Sequence, residues 1–198
     1  MNARDIVLCR YPHRLTVADV RGLVEKKDDN SKQRLADLIR HRLIDRYVTP
    51  LEHIPNKPVD FRSGFLTMAA SCLMIETFQC FRDGKKDTKG LGAGKDAFKR
   101  FFSDYSSKFP GIDGEIFYEK IRCGILHQGQ TQGRFLVMRK GAVFNEDRKS
   151  INATAFLKRL KIIVEHYVAD LRVQEMHSGP WTNALRKIQY ICEAIENE

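Results

Sequence analysis

The chain has 198 residues, enough for one well-filled core and too few for two of ordinary size, so a single domain is expected. Its 34 Lys and Arg outnumber 25 Asp and Glu, and the formal net charge of +9 suits a polyanion such as RNA or DNA, an acidic protein, or no more than a solubilising surface. Cys9, Cys72, Cys80, Cys123 and Cys192 are odd in number with no Cys-x-x-Cys pair, which argues against a disulfide frame or a zinc knuckle.

The histidines form neither His-Glu-x-x-His nor a Cys/His cluster, so no metal and no cofactor are expected. The opening stretch MNARDIVLCRYPHR carries charge where a signal peptide needs an apolar run. No uninterrupted apolar run reaches the ~20 residues that span a bilayer. A cytoplasmic protein without a membrane partner is the expectation.

Residues 1–30 read as an N-terminal extension. Leu35, Ile39, Leu43 and Tyr47 then recur every four residues through RLADLIRHRLIDRYVTP, a helix that Pro50 helps to end. The stretch FLTMAASCLMIETFQCF, 65–81, is apolar nearly all round, as in a helix buried at the middle of a bundle, and Glu76 is its only charge. The linker RDGKKDTKGLGAGK contains Gly-x-Gly-x-Gly-Lys at 90–95. It is no phosphate-binding P-loop, because Lys89 and Asp96 stand where glycine and Ser or Thr are required, and it reads as a mobile basic connector. Phe98, Phe101, Phe102, Tyr105 and Phe109 follow at helical spacing, a stripe that suits a core better than a base-stacking platform.

A helix over 114–127 buries Phe117, Ile121 and Ile125. Two β-prone runs around Lys140-Gly141 predict a small hairpin, an excursion over 131–147. Asn152 reads as a helix cap. Two amphipathic helices close the chain, one lined by Phe156, Leu160, Ile163, Tyr167 and Leu171, and one over 180–198 lined by Trp181, Leu185, Ile188, Cys192 and Ile195. The fold class is therefore all-α: a bundle of five to six helices with a small β-hairpin inserted after the 114–127 helix.

The chemistry concentrates in EKIRCGILHQGQ, residues 119–130, where Arg122 and His127 stand five positions apart. Five positions turn an ideal helix by ~140°, so the two side chains meet only if the guanidinium sweeps round a loosened helix end, or if two copies of the helix face each other across a two-fold axis. A last-turn histidine is also favoured by the helix dipole, and a lone arginine by a buried acid. Gly124 inside the helix costs up to ~1 kcal/mol relative to alanine, which a close approach would explain. Glu76 tolerates burial as a carboxylate only beside a cation, and Arg122 is the best-placed candidate.

The segment IRCGILHQG resembles the Arg-(four to six residues)-His signature of the HEPN superfamily, compact helical bundles common in bacterial toxin, antiphage and RNA-processing systems. A long apolar helix with one acid, a signature helix, a short excursion and long terminal helices extend the resemblance over roughly residues 35–175. It implies a metal-independent endoribonuclease, homodimeric, with Arg122 neutralising the scissile phosphate, His127 moving protons and Glu76 completing the site. Products would carry 2′,3′-cyclic phosphate and 5′-hydroxyl ends, and an antitoxin or operon partner would hold the activity in check. Many members carry a polar residue directly after the arginine, where this chain has Cys123. Two other readings stay open: a non-catalytic HEPN-like module binding RNA or a protein partner, and a helical scaffold unrelated to nucleic acid.

Overall fold

The computed structural model describes residues 2–53 and 63–198. Strands β1 (Val7–Cys9) and β2 (Leu15–Thr16) pair antiparallel and lead into helices α1 (Val17–Lys26), α2 (Asp29–Arg40) and α3 (Val48–Glu52). Helices α4 (Gly64–Asp83), α5 (Ala93–Asp104), α6 (Gly114–Ile116) and α7 (Cys123–Gln128) follow. Strands β3 (Leu136–Met138), β4 (Phe144–Asn145) and β5 (Ser150–Asn152) precede the long α8 (Ala153–Val173) and α9 (Gly179–Glu196). The protein is predominantly a helical bundle with small β insertions, as its apolar periodicity predicts.

Local chemistry sets the helix starts. The Thr16 side chain accepts from the Asp19 amide while Asp19 accepts from the Thr16 amide, a reciprocal box that opens α1. Asp28 and Asn152 cap α2 and α8 with single side-chain bonds to Ser31 and Ala155. Pro180 sits in the first turn of α9, where a missing N–H costs nothing. Pro50 lies likewise in the first turn of α3 rather than ending the preceding helix, which passes at Arg40 into a wide π turn, His41–Asp45. A second π turn, Phe117–Arg122, joins α6 to α7.

Helix α4 is the axis. Across an 18-residue window of its 20 residues the mean hydropathy is 1.3, so the helix is long and apolar enough to cross a membrane by composition, yet it packs against α5, α8 and α9 with Met68, Cys72, Ile75, Phe78 and Phe81 fully buried. The aromatic stripe is core: Phe98, Phe101, Phe102 and Phe109 are buried together with Phe117 and Phe156, with ring centroids 4.8 Å apart for Phe102–Phe117 and 4.6 Å for Phe109–Phe156. Trp181 is fully buried and donates its indole N–H to the Leu171 carbonyl at 2.7 Å, which docks α9 on α8.

The N-terminal 30 residues share this core, since Leu8, Cys9, Leu15, Val17 and Val20 are buried in it. The excursion also differs from a simple hairpin. The runs flanking Lys140-Gly141 do form β3 and β4, but these do not pair with each other; β5 lies between them, parallel to β3 and antiparallel to β4. Asn152 explains why: its amide N–H reaches the Val143 carbonyl at 3.0 Å and its side chain donates to the Gly141 carbonyl at 2.7 Å, so the connection folds onto β5 and not into a tight turn.

Candidate active site

Three chain segments converge on the middle of α4. Glu76 projects from it, and Arg122, the last residue of the second π turn, donates its Nε–H to Glu76 Oε1 at 2.8 Å. The other carboxylate oxygen accepts the Thr88 hydroxyl at 2.6 Å. Arg122 and Glu76 side chains are only 19% and 15% exposed, so the sequence expectation of a largely buried pair holds. Burial pulls the Arg122 pKa down, and the hydrogen bond and charge of Glu76, with smaller help from Tyr118 and Cys123, together more than offset it, leaving the pKa above the ordinary guanidinium value.

Arg122 also reaches His127. Its Nη1 lies 3.3 Å from His127 Nε2 within one chain, so the long guanidinium sweeps round the helix end and a second copy is not required to bring the two together. Arginine is donor only, so Nε2 is the acceptor in this contact. The imidazole is exposed and stands in the last turn of α7, which Gly129 closes with a left-handed φ of 65°.

Gly124 supports this packing, although not against a neighbouring helix. A Cβ there would lie 2.5 Å from the Gln130 carbonyl oxygen and 3.2 Å from the Thr131 Cα, because the chain turns back across the helix immediately after His127. The returning segment is fastened by the Gln130 and Gln132 amides, which donate to the Gly124 and Lys120 carbonyls at 3.3 and 2.7 Å.

Thr88 and Tyr118 were not marked by the sequence. The Arg122 guanidinium carbon stands 5.4 Å from the Tyr118 ring centre, a cation–π contact that a four-residue helical spacing would have suggested. Burial raises the Tyr118 pKa, with the Cys123 thiol next in effect. Thr88 lies in the polar linker, where no pattern singles it out. Through it, and through the Lys86 carbonyl that accepts from Lys187 Nζ, the connector is tied down at two points. Cys72 lies beneath the pair with its thiol pKa raised, by burial first and the Glu76 charge second, so it stays a protonated core residue.

Glu76 and Arg122 open on a cleft of about 520 Å³ whose apolar side includes Leu66, Leu73 and Leu126 and whose other end carries Tyr47, Thr88 and Lys187. Leu66, Leu73 and Leu126 are 57%, 39% and 45% exposed, an unusual amount of apolar surface beside buried charge. Among the described residues no group of three or more His, Cys, Asp or Glu side chains is arranged to hold a metal ion. The arrangement offers a fixed cation, an imidazole beside it, and a carboxylate that positions the cation. No protein-family model matches the chain, and no curated protein or solved structure matches it.

Proposed function

We propose that this chain is a metal-independent endoribonuclease of HEPN type. The observation that carries the reading is the 3.3 Å approach of Arg122 Nη1 to His127 Nε2, held from behind by Glu76. In RNA the 2′-hydroxyl can attack its own phosphate, and the reaction needs an acid–base group near neutrality and a cation for the charge that develops. As Arg122 Nη1 turns from His127 to the phosphate it frees Nε2, which takes the 2′-hydroxyl proton; the 2′-oxygen bonds to phosphorus, the bond to the 5′-oxygen breaks, and the imidazolium returns its proton to that oxygen. Arg122 neutralises the phosphorane oxygens. Both Glu76 oxygens are already engaged by Arg122 and Thr88, so Glu76 acts as a positioning residue. The products end in a 2′,3′-cyclic phosphate and a 5′-hydroxyl.

A homodimer is part of the proposal. The exposed Leu66, Leu73 and Leu126 adjoin the Arg122–His127 pair, and a second copy packed there would remove them from water and exclude solvent from the reacting phosphate.

One observation favours the alternative of a non-catalytic module that binds RNA or a protein partner: Arg122 Nε, Nη1 and the guanidinium face are all occupied, by Glu76, His127 and Tyr118. Incubating purified protein with mixed RNA, with and without EDTA, separates the two. Cleavage should persist in EDTA and fall by about 10²–10⁴-fold in His127→Ala, the usual contribution of a general acid–base group. Binding with no cleavage would favour the module, and cleavage that survives the substitution would remove His127 from the mechanism.

A further inference from the structure

The end of the cleft away from its leucines holds an acid and a base that do not meet. Asp87 and Lys187 both line the cleft, one from the loop after α4 and one from the middle of α9, and both are partly buried. They are neighbours through the backbone, because Lys187 Nζ donates to the carbonyl of Lys86, the residue before Asp87, at 2.5 Å. On the other side of Asp87 the Thr88 hydroxyl donates to Glu76 Oε2 at 2.6 Å. Asp87 is thus pinned between two ties, one to α9 and one to the carboxylate that anchors Arg122. Yet among the described residues neither Asp87 nor Lys187 has an ion-pair partner.

Each keeps hydrogen-bonding capacity. Asp87 Oδ1 accepts the Lys89 amide at 2.9 Å, and Oδ2 has no donor among the described residues. The Lys187 ammonium carries three protons, of which the Lys86 carbonyl takes one. An opposite pair held apart in a cleft suits a ligand edge that carries an acceptor beside donors. Guanine has that edge: its O6 accepts from a cation, and its N1–H and exocyclic N2–H donate side by side to one carboxylate. Adenine and cytosine offer the carboxylate a single exocyclic amine. Uracil offers one N–H between two carbonyls that a carboxylate repels. Tyr47 lines the same cleft, and among the described residues its ring stacks on no other, so a ring face is open to a base. The reacting phosphate is close by, since only the Glu76 carboxylate stands between the Thr88 hydroxyl and Arg122 Nε.

We propose that Asp87 and Lys187 form a guanine subsite, which holds the base of the nucleotide whose 3′-phosphate lies at Arg122. The assignment rests on the ribonuclease reading and deepens it: the chain cuts on the 3′ side of guanosine. Lys187 donates to O6, Asp87 accepts from N1–H and N2–H, and the Tyr47 ring lies against the base. Because the loop carrying Asp87 is tied to the anchor of Arg122, the base held there decides which 2′-hydroxyl stands at His127.

The first measurement is metal-free cleavage of oligouridine strands that carry guanine, inosine, adenine or cytosine at one central position. Cleavage after guanine should exceed cleavage after adenine by about 5- to 150-fold, the worth of one bidentate base contact, with inosine, which lacks the N2 amine, in between. Asp87→Asn keeps an acceptor for the Lys89 amide and turns the other oxygen into a donor, so it should abolish the preference. Lys187→Met removes the donor to O6 and should reduce it. The readout is the ratio of guanine to adenine rates within each variant, which a general loss of stability or activity does not move. The second measurement needs no cleavage: guanosine 3′-monophosphate should raise the melting temperature of the wild type more than adenosine 3′-monophosphate does, and no more than it in Asp87→Asn.

Cleavage without a guanine preference, or with a preference that Asp87→Asn leaves unchanged, overturns the subsite while the ribonuclease reading stands. If no RNA is cleaved but guanosine 3′-monophosphate still gives the larger shift and loses it in Asp87→Asn, the ribonuclease reading falls and the guanine site remains. If neither cleavage nor a guanine-dependent shift is seen, both fall.

Discussion

Replacing Glu76 by glutamine tests the electrostatic frame of the site with little change of shape. Glutamine keeps an oxygen to accept the Arg122 Nε–H and an amide N–H to offer the Thr88 hydroxyl, so both hydrogen bonds can persist and only the charge is lost. At 2.8 Å and an effective dielectric constant of about 20, the gross attraction lost is about 6 kcal/mol. Part is recovered because a neutral amide costs less to bury than a carboxylate. One-sided removal of a fully buried pair costs about 3–5 kcal/mol; with side chains 19% and 15% exposed and a hydrogen bond retained, the net loss should be about 2–3 kcal/mol. For a 198-residue domain that lowers the melting temperature by roughly 5–10 °C. Glu25→Gln on exposed α1, which has no ion-pair partner among the described residues, serves as the control and should melt within a degree or two (~0.5 kcal/mol) of wild type. The double variant Glu76→Gln/Arg122→Met removes both charges and should recover at least half of the loss, a coupling that separates charge from packing. If Glu76→Gln melts with the control, or if the double variant is additive, the buried pair is not what positions Arg122.

Two further outcomes follow from local geometry. Gly124→Ala would ordinarily stabilise a helix by ~1 kcal/mol, but the new Cβ meets the backbone at Gln130, so thermal melts should show a net loss of about 1–3 kcal/mol from overpacking, and a gain would mean that the returning chain does not press on α7. Burial first, and the Arg46 charge second, hold the His41 pKa below its ordinary value of 6.5, against the opposing pull of Asp45 at 3.5 Å. The unfolded ring therefore protonates first, so the contribution of His41 is fully present above about pH 6.5 and is lost as pH falls through that value toward the folded pKa; His41→Gln should flatten the melting-temperature profile below pH 6.5, and an unchanged slope would show that His41 is not the titrating group.

Periodicity revealed most of the helical frame because burial on one face leaves a repeat in the chain. The stripe from Phe98 to Phe109 and the apolar 65–81 segment lie in the core, except for one face of the latter where Phe65, Leu66 and Leu73 stand exposed. The pairing of Glu76 with Arg122 was legible for a different reason, since one carboxylate in an apolar helix demands a cation. The π turns leave no comparable trace. Slipping a hydrogen bond by one residue alters which faces align without altering which residues are apolar, so nothing in FYEKIR or HRLID announces it. The β3–β5 pairing was hidden because it depends on Asn152 acting both as a helix cap and as a tie to Gly141 and Val143. Thr88 was hidden because its partner is twelve residues away across a turn whose shape no local rule predicts.

Several departures from economical folding stand close together. The second π turn, a helix glycine pressed against backbone and three exposed leucines all stand at or beside a single cleft. Each is unfavourable for the isolated chain. Sequences drift toward stability wherever a site carries no other demand, so several uncompensated costs sharing one surface point to a demand on that surface. A ligand that brings a phosphate to Arg122, and apolar cover to Leu66, Leu73 and Leu126, would use the cation and remove the exposed surface together. A polyanion can supply only the first and a second protein copy only the second, which is the physical reason for expecting RNA and dimerisation at the same cleft rather than either alone.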